Sequence, residues 1–195
     1  MPEFIEIYLP LKYRLPFGLF IFLWLAIVDY KKYGWKSERL HEYGFLIYCV
    51  FLAVIYGIAN DVITSSLSAE YYTFGKEIDS GEGFNMRVAW LAIKGSYWVG
   101  LILGVILLVA NNPYKSYPRV PLPKLWKYPL IPIGFTIIFS LTIYLNIHNH
   151  YGLYVVMKIH KAAYCGSLVG GLFSLGLVIR SRIKLKKLDY SFTNV

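Results

Sequence analysis

Long stretches without charge recur along this chain, and they limit what it can become more than any other feature. No residue from Tyr43 to Asn60 is charged, and an apolar run of similar kind closes at Ala110. A helix needs about 20 predominantly apolar residues to cross a bilayer. The composition agrees: 57% of the residues are hydrophobic and only 16% are charged, against about a quarter charged in an ordinary soluble domain. The expected fold is therefore all-α, a polytopic membrane helix bundle of about five transmembrane helices. The expected spans are 15–30, 43–60, 87–110, 128–147 and 160–179, forming a single transmembrane domain over 1–195 with no separate soluble part. Pro16 fits the first turn of span one, where its missing N–H costs little. Lys12 and Arg14 precede that span, but no small-x-small cleavage site follows it, so it reads as a retained span and not a signal peptide.

The net charge of +9 raises the question of nucleic acid. The basic residues sit in the connections between spans, so a positive-inside bias explains them and no nucleic-acid partner is expected. Loop one holds Lys31, Lys32, Lys36 and Arg39. Loop three holds Lys115, Arg119, Lys124 and Lys127. The C-terminus holds Arg180, Arg182, Lys184, Lys186 and Lys187. This asymmetry places the C-terminus in the cytoplasm and the N-terminus outside, in a bacterial cytoplasmic (inner) membrane whose lipid bilayer is the chief partner. A homo-oligomer or a partner within a membrane complex is also compatible with it. Loop three, with its prolines, is expected to be extended. Cys49 and Cys165 lie at different depths, so no disulfide is expected between them.

The stretch from Asn60 to Tyr72 carries the chemistry. Asp61 ends span two, and Glu70 and Tyr71 follow in an outer loop, 61–86, longer than an ordinary connection. The head of that loop, from Val62 to Phe74, reads as a re-entrant or surface-lying element. The topology brings further groups to the same boundary: Arg87 opens span three, His148 and His150 follow span four, and His160 and Tyr164 share one helix face at the start of span five. Lys94, two turns inside span three, is within reach by snorkelling. Ionisable groups at such a depth mark a functional site by default. Asp61 also has a plainer reading, as a partner of Arg87 or Lys94 that merely orients helices, and Glu70 has one as a solvated loop acid.

Asp61, Glu70, Tyr71, Arg87, Lys94 and Tyr164 are thus the candidate ligand-binding residues. Glu70, His148, His150 and His160 are the candidate metal ligands, since carboxylate and imidazole suit zinc, iron or copper. A divalent metal is the cofactor such a set would take. No Walker loop, GxSxG, HExxH or dinucleotide fingerprint is present, so no catalytic residue is assigned. Gly100-x-x-x-Gly104 and Gly166-x-x-x-Gly170 are small-xxx-small patterns that favour close helix packing and suggest that spans three and five touch.

The pattern Asp61-x-x-Thr64, with Ser68-x-Glu70-Tyr71-Tyr72, resembles a family of bacterial multi-pass inner-membrane proteins. Ser96-Tyr97-Trp98-Val99-Gly100 in span three and His160-Lys161-Ala162-Ala163-Tyr164-Cys165-Gly166 in span five extend the resemblance over spans two to five. The chain departs from that pattern at Ala69, where proline is expected, and at Tyr72, where phenylalanine is expected. The resemblance implies no activity and supports only the choice of residues. Three readings follow from the residues themselves. The first is an outward-facing carboxylate/His/Lys/Arg cleft that binds a small polar solute or cation in a transport-related role. The second is a membrane enzyme, metal-dependent or using a Glu/His acid–base pair, acting on a lipid or periplasmic substrate. The third is an accessory or assembly subunit of a membrane complex.

Overall fold

The computed structural model describes residues 10–112, 117–147 and 152–193, with the backbone alone at 11, 12, 15 and 188–193. Among the described residues the chain is all-α. Helix α1 runs Leu11–Tyr33, α2 Glu38–Leu67, the short α3 Ala69–Thr73, α4 Phe84–Ala110, the single turn α5 Leu122–Leu125, α6 Leu130–Ile147 and α7 Gly152–Thr193. Four stretches of helix among these residues are long and apolar enough to cross a membrane: Glu38–Leu67, Phe84–Ala110, Leu122–Ile147 and Gly152–Lys187. The segment expected to form span one does fold as a helix, α1, of 23 residues, but is not one of the four. Only 6% to 33% of each span's most apolar window is buried within the protein. Most of that apolar surface points outwards, as a lipid solvent requires.

The chain divides into two compact units, Met1–Ile47 and Tyr48–Val195. In the first unit, α1 ends with Lys31 and Lys32 in its last turn, where cations complement the helix dipole. Gly34 follows with φ +63°, a left-handed backbone that suits glycine, and a 3-10 turn, Gly34–Lys36, leads to α2. The Ser37 hydroxyl accepts a bond from the Leu40 N–H at 3.4 Å, serving one donor that the start of α2 leaves open. Asp29, buried near the end of α1, accepts a 2.9 Å bond from the Tyr43 hydroxyl and faces Arg39 at 3.9 Å. Phe22 packs edge-on against the Tyr43 ring. A buried carboxylate with two partners is the clasp of this unit.

In the second unit glycines set the helix spacing. A Cβ on Gly100 would run into the Cys49 carbonyl, Val50 Cα and Ala53 Cβ, so α4 lies backbone-on-backbone against α2. A Cβ on Gly166 would fall 2.8 Å from the Phe135 carbonyl, and one on Gly170 2.5 Å from Pro132 Cα. Those two glycines seat α7 on α6, its antiparallel neighbour across a short connection, as bundle topology favours. Helices α4 and α7 do meet, for instance where Gly171 approaches Leu103. Gly100 and the Gly166–Gly170 pair, however, each serve a different partner helix instead of one another. Both cysteines are free, Cys49 buried and Cys165 exposed.

One end of this unit is tied together by Arg182, which is buried. Its guanidinium donates to four backbone carbonyls: Ala110 at 2.6 Å, Asn112 at 2.7 Å, Tyr117 at 2.8 Å and Pro118 at 3.2 Å. The Ala110 carbonyl belongs to the last turn of α4, whose acceptors have no partner within the helix. Next to it, the Asn111 side chain bonds Val120 in both directions, accepting from its N–H at 2.8 Å and donating to its carbonyl at 3.0 Å. Tyr128 and Ser181 share a hydroxyl–hydroxyl bond of 2.9 Å, and the Lys186 ammonium sits 4.4 Å from the Tyr117 ring centre.

Candidate functional site

The opposite end of the same unit holds the other polar cluster. Helix α2 continues past Asn60 to Leu67, so Asp61 and Thr64 stand on consecutive turns of one helix face. The hydroxyls of Thr64, Ser65 and Ser66 bond back to carbonyls three or four residues earlier, which weakens a helix at its end. Ser68 then turns extended, with φ −155°, and α3 begins. The stretch expected as a re-entrant or surface-lying element is thus the last turns of α2 followed by this short helix. Helix α7 starts against the break: a Cβ on Gly152 would lie 2.7 Å from the Leu67 carbonyl. Tyr72, Val88 and Val156, all fully buried, join α3, α4 and α7, with Tyr71, Ile78, Phe84 and Leu91 packed around them. Two turns along α7 from its start, His160 arrives beside Asp61.

Three oxygens surround the Nε2 atom of His160. The Tyr72 hydroxyl is 3.2 Å away, Thr64 Oγ1 3.5 Å and Asp61 Oδ1 3.9 Å. Tyr72 and Thr64 are themselves joined at 2.6 Å. Thr64 donates its single hydroxyl proton to the Asn60 carbonyl at 2.7 Å, so it accepts from Tyr72. The Tyr72 hydroxyl also has the Asp61 carboxylate as a side-chain hydrogen-bond partner. Nε2 is thus the ring nitrogen turned towards Tyr72, Thr64 and the Asp61 carboxylate. Burial first, and the Asp61 charge second, push the Tyr72 phenol above its ordinary range, which keeps it a proton donor at neutral pH.

The cluster is nearly closed. Side-chain exposure is 12% for His160 and 15% for Asp61. The Tyr71 ring stacks on the imidazole, 4.9 Å between centres and 15° between planes, and Tyr72 meets Tyr71 edge-on. Asp61 Oδ1 also accepts from the Asn60 amide at 3.1 Å. The Lys76 ammonium lies 5.8 Å from the Tyr71 ring centre. Tyr71 has its phenol pushed up by burial, then by Tyr164 and Asp61. Tyr164 itself, one turn beyond His160, is 69% exposed and forms the rim.

Of the residues singled out in the sequence, Asp61, Tyr71 and His160 are therefore brought together, with Tyr164 at the edge. Glu70 stands exposed in the first turn of α3. Arg87 turns back on its own loop, donating to the carbonyls of Asp79, Gly81 and Glu82 at 2.8 to 3.1 Å and facing the Asp79 carboxylate at 3.5 Å. Asp61 lies 3.9 Å from the His160 imidazole, which pairs with it as an ion only when protonated. Lys94 is half-buried two turns further along α4. His148 and His150 lie outside the described residues. Among those that are described, no three or more His, Cys, Asp or Glu side chains are grouped to hold a metal ion. Thr64 and Tyr72 were not among the candidates. The signal was there in the Asp61-x-x-Thr64 spacing, which shares one face once α2 is allowed to run on.

Compared with protein-family models, with curated proteins and with solved structures, the chain gives no match.

Proposed function

We propose that this chain is a multi-pass protein of a bacterial cytoplasmic membrane that binds a small polar solute or a cation at the Asp61–His160 cluster, in a transport-related role. The observation that carries the reading is the acid and the imidazole 3.9 Å apart, walled by Tyr71, Tyr72 and Thr64 at the end of membrane-spanning helices. Ionisable groups at that depth are costly and face a bundle interior or a water-filled path. Carboxylate, hydroxyl and aromatic face together suit a cation: the first by charge, the last by its ring quadrupole. The excess of Lys and Arg in the connections at the other end of the spans supports the cluster facing outwards and the C-terminus facing the cytoplasm.

The test is a titration of purified protein in detergent with sodium, choline and ethanolamine chlorides, read as the shift in melting temperature. One of these is expected to raise it in a saturable manner. Asp61→Asn should remove that rise, and Glu70→Gln should keep it. A rise that survives Asp61→Asn, or no rise with any of the three, overturns the reading.

A further inference from the structure

The Arg182 end of the second unit carries a surface unrelated to the Asp61 cluster. Helix α7 is 42 residues long, about 63 Å at 1.5 Å per residue, twice the hydrocarbon thickness of a bilayer. Its end therefore stands clear of the apolar layer. That end divides by helical geometry into two faces. Arg182 and Lys186, four residues apart, face the loop, where one clamps the carbonyls of Ala110, Asn112, Tyr117 and Pro118 and the other covers the Tyr117 ring. Arg180, Lys184 and Lys187, spaced by four and three, lie on the opposite face, and all three are exposed.

The same stripe traced back along α7 passes through Val169 and Phe173, which are 42% and 52% exposed. A lipid-facing apolar stripe thus turns basic where the helix leaves the hydrocarbon. The acids of this unit with described side chains, Asp61, Glu70, Glu77, Asp79 and Glu82, all belong to the other end. Among the described side chains of this unit, no acid lies at the end that carries these cations.

We infer that the Arg180–Lys184–Lys187 stripe binds the phosphate headgroups of anionic phospholipids in the adjoining leaflet. The occupant follows from continuity. A ligand that touches Val169 and Phe173 with acyl chains reaches these three cations with its headgroup, and basic residues next to a membrane surface attract anionic lipid. The clamp at Arg182 keeps the stripe turned outwards by holding the opposite face against the loop.

The experiment uses the full chain in phosphatidylcholine vesicles, with energy transfer from its tryptophans to dansyl-labelled phosphatidylglycerol or dansyl-labelled phosphatidylcholine. The expected result is a preference for phosphatidylglycerol that falls about fivefold per cation removed in the combined variant Arg180→Gln, Lys184→Gln, Lys187→Gln. Lys187→Gln alone, at the tip and tolerable to the fold, should give the first such step. Lys124→Gln with Lys127→Gln, in the neighbouring loop, should cost less per charge. Absence of a preference in the unaltered protein, an equal loss per charge from the loop pair, or displacement by millimolar inorganic phosphate would each overturn the inference.

Discussion

The two ends of the Tyr48–Val195 unit each hold a group that a membrane protein places at some cost, and they treat it differently. Arg182 is saturated: four carbonyls take up its guanidinium, all of them backbone. The Asp61–His160 pair is left wider, 3.9 Å apart, with the Tyr72 hydroxyl 3.2 Å from the imidazole. A cation spent on main-chain acceptors has become part of the scaffold, because moving it would leave four carbonyls without their donor at once. An acid and an imidazole that face each other without closing keep capacity for something else. The same burial of polar groups thus fixes main chain at one end and sets side chains against one another at the other.

The comparison breaks most visibly at Arg182. Arg182→Ala should lower stability by about 3 kcal/mol or more, since bonds to a charged donor are each worth about 1.5–3 kcal/mol. Arg182→Lys should recover little, because a point ammonium cannot span the acceptors of a planar fork. Thermal unfolding in detergent measures both. Next in size is the packing between the ends. Gly166→Val should cost about 1–3 kcal/mol, as its side chain meets the Phe135 carbonyl and Thr136 Cα at 2.8 Å; loss of yield and of melting temperature would show it. Tyr72→Phe removes a fully buried hydroxyl from between Thr64 and His160, with an expected cost of about 1–2 kcal/mol. Asp61→Asn should change stability least while removing the cation response, and Glu70→Gln should change neither. If Asp61→Asn unfolds the protein as readily as Arg182→Ala does, the contrast between the two ends fails.

Much of the fold was legible because lipid imposes a simple rule on composition. The apolar runs mark α4 and α6 within a few residues at both ends, but fall short of α2 and α7 at both of theirs. Helix boundaries were less legible where polar residues continue a helix beyond the apolar run. Asp61, Thr64 and Ser65 look like the beginning of a loop, yet their hydroxyls satisfy carbonyls of the helix they prolong, so α2 reaches Leu67. That extension decides the site. It sets Thr64 one turn beyond Asp61 and leaves Glu70, on the next element, facing away. Arg87 was legible as a boundary cation but not as a loop clamp, because its partners are main-chain carbonyls, which no residue pattern advertises. The glycine stripes announced tight contacts without saying with whom, since a small residue specifies distance and not identity.

The length of α7 has one more consequence. His160 and Arg182 ride on the same uninterrupted rod, and the helical rise over the residues between them spans about 33 Å. Rotation of that rod about its axis, or a slide along it, cannot be confined to one surface of the bilayer. Whatever is felt by the imidazole near one tip is mechanically legible at the guanidinium near the other.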